Sequence, residues 1–180
     1  MYESLVRAFT AVLLASVAFT AQATTGTPNK SGKAYAQCLR VKPMVFDGTI
    51  VDAAVATPAL STLVDLVVRA NLVDALRAPG NLTVFAPTND AFAAIPEPVL
   101  TAIGGDNDLL TAVLTYHVAP RYVDPRRSIV PREVSTLQGQ TVFVAWDGAP
   151  QVNQSNAACQ AVRTTNGTVW IIDSVLLPQF

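Results

Sequence analysis

His117 is the one histidine in the 180-residue chain, and it follows Tyr116 directly. An imidazole beside a phenol is the pair that general acid–base chemistry or metal ligation starts from. Either use needs partners, and no second histidine exists to complete a metal site or a H-E-x-x-H helix. Leu110, Val113, Leu114 and His117 follow the i, i+3, i+4, i+7 spacing of one helical face. That spacing sets His117 beside apolar neighbours, as a buried, hydrogen-bonded group. The other reactive side chains are two cysteines, Cys38 and Cys159, and an arginine cluster. Arg121, Arg126, Arg127 and Arg132 fall with Tyr122 in a stretch stiffened by Pro120, Pro125 and Pro131. Such a loop either contacts an anionic polymer or headgroup, or simply faces water. There is no G-x-S-x-G elbow, P-loop, G-x-G-x-x-G or C-x-x-C. No catalytic site, metal site or cofactor is therefore expected.

The elements that hold these residues follow from pattern. Thr57 and Pro58 suit an N-cap and a first helical position. Leu60, Leu63, Val64, Val67 and Val68 make a helical stripe, and Ile50, Ala53 and Ala54 mark a shorter helix before it. Asp106, Asn107 or Asp108 can cap the helix ending at Tyr116–His117. Leu82 to Ala86 suits a buried strand that Pro87 ends. Thr88, Asn89 and Asp90 can each cap the short helix after it, whose inner side is Ala91, Phe92 and Ile95. Strand signals then dominate: Val134 to Leu137, Thr141 to Ala145, Val152, Ala161 to Thr165 and Thr168 to Ile172. Gly139 and Asp147-Gly148 lie at turns between them. Asn166-Gly167 signals a two-residue turn with positive φ at both positions. In the last strand Val169 and Ile171 point to one face, Trp170 and Ile172 to the other, so the strand is buried on both faces or packs Trp170 under a loop. Helices first and strands later make the chain α+β rather than parallel α/β.

Composition sets the compartment. Half the residues are hydrophobic (51%), 14% are charged and the net charge is −1, which offers no field for nucleic acid. Ala8 to Phe19 is apolar apart from Thr10 and Ser16, and Ala21-Gln22-Ala23 is an A-x-A cleavage site. Residues 1–23 read as a secretory signal peptide, too short for a membrane span. No transmembrane anchor is expected, and the mature protein is secreted, extracellular or periplasmic. Residues 24–46 read as a polar, loop-like leader carrying Cys38, and 47–180 as one domain without internal repeats. In an oxidising compartment two cysteines suggest one disulfide, Cys38–Cys159; in a reducing one they stay free thiols. A bridge closing a loop of roughly 120 residues stabilises by about 5 kcal/mol in the chain-entropy picture. The sequons at Asn81, Asn153 and Asn166 read as chance matches.

Three segments carry a family likeness. They are Thr83-Val84-Phe85-Ala86-Pro87-Thr88-Asn89-Asp90-Ala91-Phe92, then Tyr116-His117, then Asn166 to Pro178, which includes Val169, Ile172, Asp173 and Val175-Leu176-Leu177. In this order they resemble the signature of the fasciclin domain, over about Asp47 to Pro178. The resemblance implies a β-wedge or small sandwich with helices packed beside it, and an exported adhesion module. Some secreted bacterial fasciclin-like antigens carry a cysteine pair at similar places, and the compact signal peptide and single domain also point to a bacterial source. The family places an adhesion surface around Tyr116 and His117, to which the arginine loop adds Arg126 and Arg127. The expected partner is a cell-surface or matrix protein or glycan, held by a monomer. The Asp-Ile pair linked to integrin binding in animal members is replaced by Ala161 and Val162. A second reading is a soluble binding protein for a small apolar ligand or glycan, with a pocket lined by Phe92, Leu110 and Trp146. An enzyme would require a second ionisable group against His117.

Overall fold

The computed structural model describes residues 32–179, so the signal peptide read over 1–23 lies outside the described residues. The chain runs α1 (Gly32–Arg40), β1 (Met44–Val45), α2 (Ile50–Val55), α3 (Ser61–Arg69) and α4 (Val73–Arg77). Then come β2 (Leu82–Pro87), α5 (Asn89–Ala93), α6 (Glu97–Gly105), α7 (Asn107–Tyr116) and β3 (Val118–Ala119). It closes with β4 (Arg132–Ser135), β5 (Thr141–Trp146), β6 (Pro150–Val152), β7 (Ser155–Arg163) and β8 (Gly167–Ile172). The fold is α+β, with helices grouped in the first half and strands in the second.

Among the described residues the strands follow one path, β3-β2-β8-β7-β6-β5-β4, and β1 pairs with β7 outside it. The two long signature segments, far apart in sequence, become parallel neighbours: Val84 sits opposite Val169, and Phe85 opposite Trp170. β7 is longer than the sequence pattern indicated. It pairs with β6 at one end and β8 at the other, with a bulge between Ala157 and Ala161. A bulge bends its strand. Here it lets one strand serve both limbs of the wedge.

The period of two along β2 and β8 divides the core. Val84, Ala86 and Val169 face the helices and join Ile50, Leu63, Val67, Leu76 and Leu114. Phe85, Trp170 and Ile172 face the other way, into Val142, Val144, Val152 and Tyr116. Trp170 and Phe85 are fully buried, and each such side chain stabilises the fold by about 2–3 kcal/mol.

Local chemistry differs from the sequence reading at three places. First, residues 32–40 of the expected loop-like leader form α1, whose Tyr35 ring meets Trp146 edge-on at 4.9 Å. Second, Thr88 alone caps α5, accepting from the Ala91 N–H. Asn89 instead reaches across to α3: its Oδ1 accepts from the Thr62 N–H at 3.0 Å, and its Nδ2 donates to Pro58 O and Ser61 Oγ. Asn89 therefore satisfies an orphan donor at the start of a different helix. Third, neither Asn166 nor Gly167 has a positive φ; the left-handed residues are Asn71, Asn153, Gly139 and Gly148.

The Asn166-Gly167 pair is required for contact instead. A Cβ on Gly167 would overlap the Leu82 carbonyl oxygen and lie 2.7 Å from Ile50 Cδ1. Asn166 is 4% exposed. Its Oδ1 accepts from the Ile50 N–H at 2.9 Å, and its Nδ2 donates to Leu76 O at 2.8 Å and Ala78 O at 3.1 Å. One amide thus serves the start of α2 and the end of α4.

Two substitutions test these contacts by urea unfolding. Gly167→Ala is expected to cost about 3 kcal/mol, because backbone rather than a movable side chain blocks the methyl. Asn89→Ala is expected to cost about 1 kcal/mol, the value of a lost helix cap. An unchanged midpoint in either would remove that residue from its assigned role.

Candidate functional site

Asp106 caps α7, its Oδ1 accepting from the N–H groups of Asp108 and Leu109 at 2.8 and 3.1 Å. The helix then ends at the residues that carried the chemical interest. Tyr116 is 5% and His117 2% exposed. Tyr116 Oη donates to Thr141 O at 3.0 Å and accepts from Asn153 Nδ2 at 3.1 Å. His117 Nδ1 lies 2.7 Å from Val113 O, and the Leu176 N–H donates to Nε2 at 2.9 Å. An N–H can only be accepted by a bare ring nitrogen, so the proton sits on Nδ1 and the ring is neutral. Burial pushes the His117 pKa down to about 4, against the hydrogen bond to Val113, which favours the charged form. Both ring nitrogens are taken by backbone, so the ionisable partner that a catalytic His117 requires is not in contact with it.

The arginine loop divides in two. Asp124 caps a short 3-10 turn, Pro125–Arg127. Arg126 and Asp124 form a buried bidentate pair, Nη2 to Oδ2 at 2.8 Å and Nε to Oδ1 at 2.9 Å. The carboxylate hydrogen bond holds the Arg126 guanidinium charged, above its ordinary pKa, and outweighs burial. Nη1 gathers three carbonyls, Val41 at 2.8 Å, Cys159 at 3.3 Å and Cys38 at 3.5 Å. The guanidinium also lies 5.0 Å from the Trp170 ring centroid, a cation–π distance. The Cys38–Cys159 disulfide is formed, with 5.1 Å between Cα atoms. The buried Cys38, Arg126 and Trp170 and the half-buried Cys159 are thus one assembly, joining α1 to β7 and β8. Arg127 stays outside, with its side chain 74% exposed and 3.5 Å from Asp124.

Of the four residues expected to form a contact surface, the structure therefore buries Tyr116, His117 and Arg126 and exposes Arg127. Periodicity signalled the burial of His117; that of Arg126 was not read from the loop, because apart from Asp124 its partners come from three distant segments. Ala161 and Val162, at the places of the Asp-Ile pair, are buried too. The expected apolar pocket also divides: Phe92 and Leu110 line a small cavity of about 30 Å3, while Trp146 lies elsewhere, packed edge-on against Tyr35. Asn166 is buried and bonded, which leaves its sequon closed to modification.

The open feature near Tyr116 is a groove of about 970 Å3 between the turns after β4 and β6 and the C-terminal segment. Gln140, Thr141, Asn153, Gln154 and Gln179 line it with polar groups; Phe143 and Leu177 add apolar surface. Phe143 is 51% exposed and Gln154 faces solvent. The left-handed turn at Asn153 was not read from the sequence; it presents Gln154 there. No group of His, Cys, Asp and Glu able to hold a metal occurs among the described residues.

His117, Asp124 and Arg126 are buried, and the groove beside Tyr116 is lined by uncharged side chains. The family model for the fasciclin domain matches residues 58–178, and the chain belongs to that family. It is 41% identical to protein sll1483 of Synechocystis over 72% of this chain and 73% of that protein. It is 40% identical to the cell surface glycolipoprotein MPB83 of Mycobacterium bovis, over 72% of this chain and 60% of that protein. Among solved structures, a FAS1 domain pair from the insect cell adhesion molecule fasciclin I aligns with a TM-score of 0.47 at 20% identity. That alignment spans 66% of this chain and 45% of the other.

Two measurements test the buried groups. Between pH 4 and 6.5 the unfolded chain binds a proton on His117 that the folded chain refuses, so stability falls as pH drops through this range. The loss at pH 4 relative to pH 7 is about 3 kcal/mol, and urea midpoints of a His117→Gln variant should lack that contribution. Arg126→Met should cost about 3–5 kcal/mol by leaving the buried Asp124 carboxylate with only the exposed Arg127 as a charged partner, whereas Arg127→Ala should change stability by under about 0.5 kcal/mol. Equal effects of the two arginine changes would contradict the buried pair.

Proposed function

We propose that this chain is an exported, non-catalytic adhesion module that binds a cell-surface or matrix partner through the groove above Tyr116. The observation that carries the reading is the division of labour between inside and outside. The chain's histidine, its buried arginine and both cysteines are committed to holding the fold together. What remains for a partner is an exposed phenyl ring flanked by amides, a surface suited to hydrogen bonding and apolar contact without net charge. Tyr116 acts from below: its hydroxyl fixes Thr141 and Asn153, which set the groove's walls. Arg121, Arg127 and Arg132 of the arginine loop are exposed, Arg127 lying 3.5 Å from Asp124, and can meet an anionic group. The disulfide suits an oxidising compartment, and no helix of the described residues is long and apolar enough to cross a membrane. The likeness to a mycobacterial cell surface glycolipoprotein supports the same location. A single groove of this kind binds weakly, and many copies on a surface supply the strength.

The test displays the folded domain in many copies and measures binding to whole cells and to matrix-protein and glycan arrays. Phe143→Ala combined with Gln154→Ala is expected to weaken binding at least tenfold, about the value of one truncated anchor residue, with an unchanged melting temperature. Binding that survives this change but disappears with Arg127→Ala would move the surface to the arginine turn. Binding indifferent to all three substitutions would refute both.

A further inference from the structure

A second depression opens where β7 ends and β8 begins. Residues 164–166 connect the two strands, and the segment before β2 lies against them, since the Leu82 N–H donates to Asn166 O at 3.2 Å. The space measures about 380 Å3, and Asn81, Tyr122, Arg163, Thr164 and Thr165 are among the residues that line it. Its walls are fixed by backbone. Thr164 donates to Gly167 O from its N–H at 2.9 Å and from its hydroxyl at 3.0 Å. Thr165 donates to Gly48 O from the same two groups, each at 2.9 Å. Tyr122 is held from both sides by one buried hydroxyl. Thr83 Oγ1 donates to Arg121 O at 2.8 Å and accepts from the Val123 N–H at 2.9 Å. Walls set before a ligand arrives reduce the ordering cost of binding.

Charge in this depression is unbalanced. Arg163 is exposed, and no carboxylate lines the space with it. Other arginines are engaged: Arg69 with Gly104 O, Arg77 with Asp52, Arg121 with Glu133 O, Arg126 with Asp124 and Arg132 with Ser128. The Arg163 guanidinium makes no hydrogen bond or ion pair with the described residues. The Asn81 amide and the Tyr122 hydroxyl are likewise unbonded among them. Tyr122 is 42% exposed, so ring surface and hydroxyl are both open to a ligand. The hydroxyls of Thr164 and Thr165, though donating, keep lone pairs that can accept.

These groups narrow the occupant. A free guanidinium offers a planar pair of N–H donors that fits a carboxylate edge-on. One cation matches a single negative charge better than the near-double charge of a phosphate ester. An amino acid would bring an ammonium group for which the lining has no carboxylate. An aromatic ring, an amide and two hydroxyls suit the apolar face and the hydroxyls of a sugar ring. Size agrees. Benzene fills an apolar cavity of roughly 150 Å3, and a hexuronate, with about twice as many non-hydrogen atoms, fits in 380 Å3.

We infer that this depression binds one uronic acid residue of an acidic glycan, with its carboxylate on Arg163 and its ring against Tyr122. The site is separate from the groove above Tyr116, with which it shares no lining residue.

The test is an amide-resolved NMR titration of the folded protein with methyl glucuronoside, methyl glucoside and methyl glucoside 6-sulfate. The glucuronoside is expected to shift the amides of Asn81, Tyr122, Arg163 and Thr165, with a Kd of about 1 mM, ordinary for a ligand of its size. The neutral glucoside should bind at least tenfold more weakly, the effect of losing a charge-assisted pair. Arg163→Gln should weaken glucuronoside binding by the same factor, and Arg127→Gln should leave it unchanged. If Arg163→Gln does not fold, the three sugars compared on the unaltered protein decide alone. Absence of shifts well above that concentration would overturn the inference, as would shifts scattered over the surface. Equal binding of the neutral glucoside, or equal weakening by Arg127→Gln, would also overturn it. A sulfate ester that binds as tightly as the glucuronoside would remove the carboxylate as the recognised group and overturn it too. Phe143→Ala with Gln154→Ala should leave glucuronoside binding intact, so failure of the groove and failure of this site are separately readable.

Discussion

The constraint on which the rest depends is the close parallel approach of β2 and β8. Their backbones meet so tightly at Leu82 and Gly167 that no side chain fits between them. That approach makes a two-faced partition. Val84 and Val169 close the helical core, while Phe85 and Trp170 close the strand core. Neither core forms without it, since each borrows alternate residues from the same two strands. Asn166, one residue before the contact, ties the pair to α2 and α4 through three hydrogen bonds. A buried amide with its polar atoms satisfied specifies one arrangement of these elements, because any other leaves polar groups unpaired in a low-dielectric interior.

A second consequence of this architecture is where polar chemistry goes. Arg126, paired with Asp124 two residues away, reaches the carbonyls of Cys38, Val41 and Cys159, and the neutral His117 and the disulfide likewise join segments far apart in sequence. A paired charge in the interior is weak evidence for net stability but strong evidence for a fixed geometry, since breaking it strands the partner. Here the geometry fixed is that of α1 and the wedge edge against Trp170. The fold thereby spends its reactive side chains on itself. On the strand side the surface beside Tyr116 carries an open groove lined by uncharged side chains.

Much of the element order was legible in the sequence because it rests on local rules. The burial of both faces of Val169 to Ile172, the cap at Asp106, the stop at Pro87 and the turns at Gly139 and Gly148 each depend on a few adjacent residues. The errors share a cause. Asn89 looked like a cap of its own helix and caps its neighbour's. Asn166-Gly167 looked like a positive-φ turn and is a contact point. Residues 32–40 looked loop-like because their stabilising contacts, Trp146 and Cys159, lie more than a hundred residues away. Arg126 looked solvated because the carbonyls of Cys38, Val41 and Cys159 that receive its guanidinium come from other segments.

By itself, then, the sequence determined the α+β class, the family likeness carried by its three segments, and much of the buried stripes, though Val68, in the α3 stripe, is exposed. Residue type and period decide these through backbone geometry and burial, which act over a few positions. Only the tertiary structure decided which polar side chains face inward, what they bond, and which surfaces remain for a partner. A hydrogen bond or an ion pair takes its value from the dielectric and the partner around it, and both are supplied by chain segments that meet only when the molecule folds.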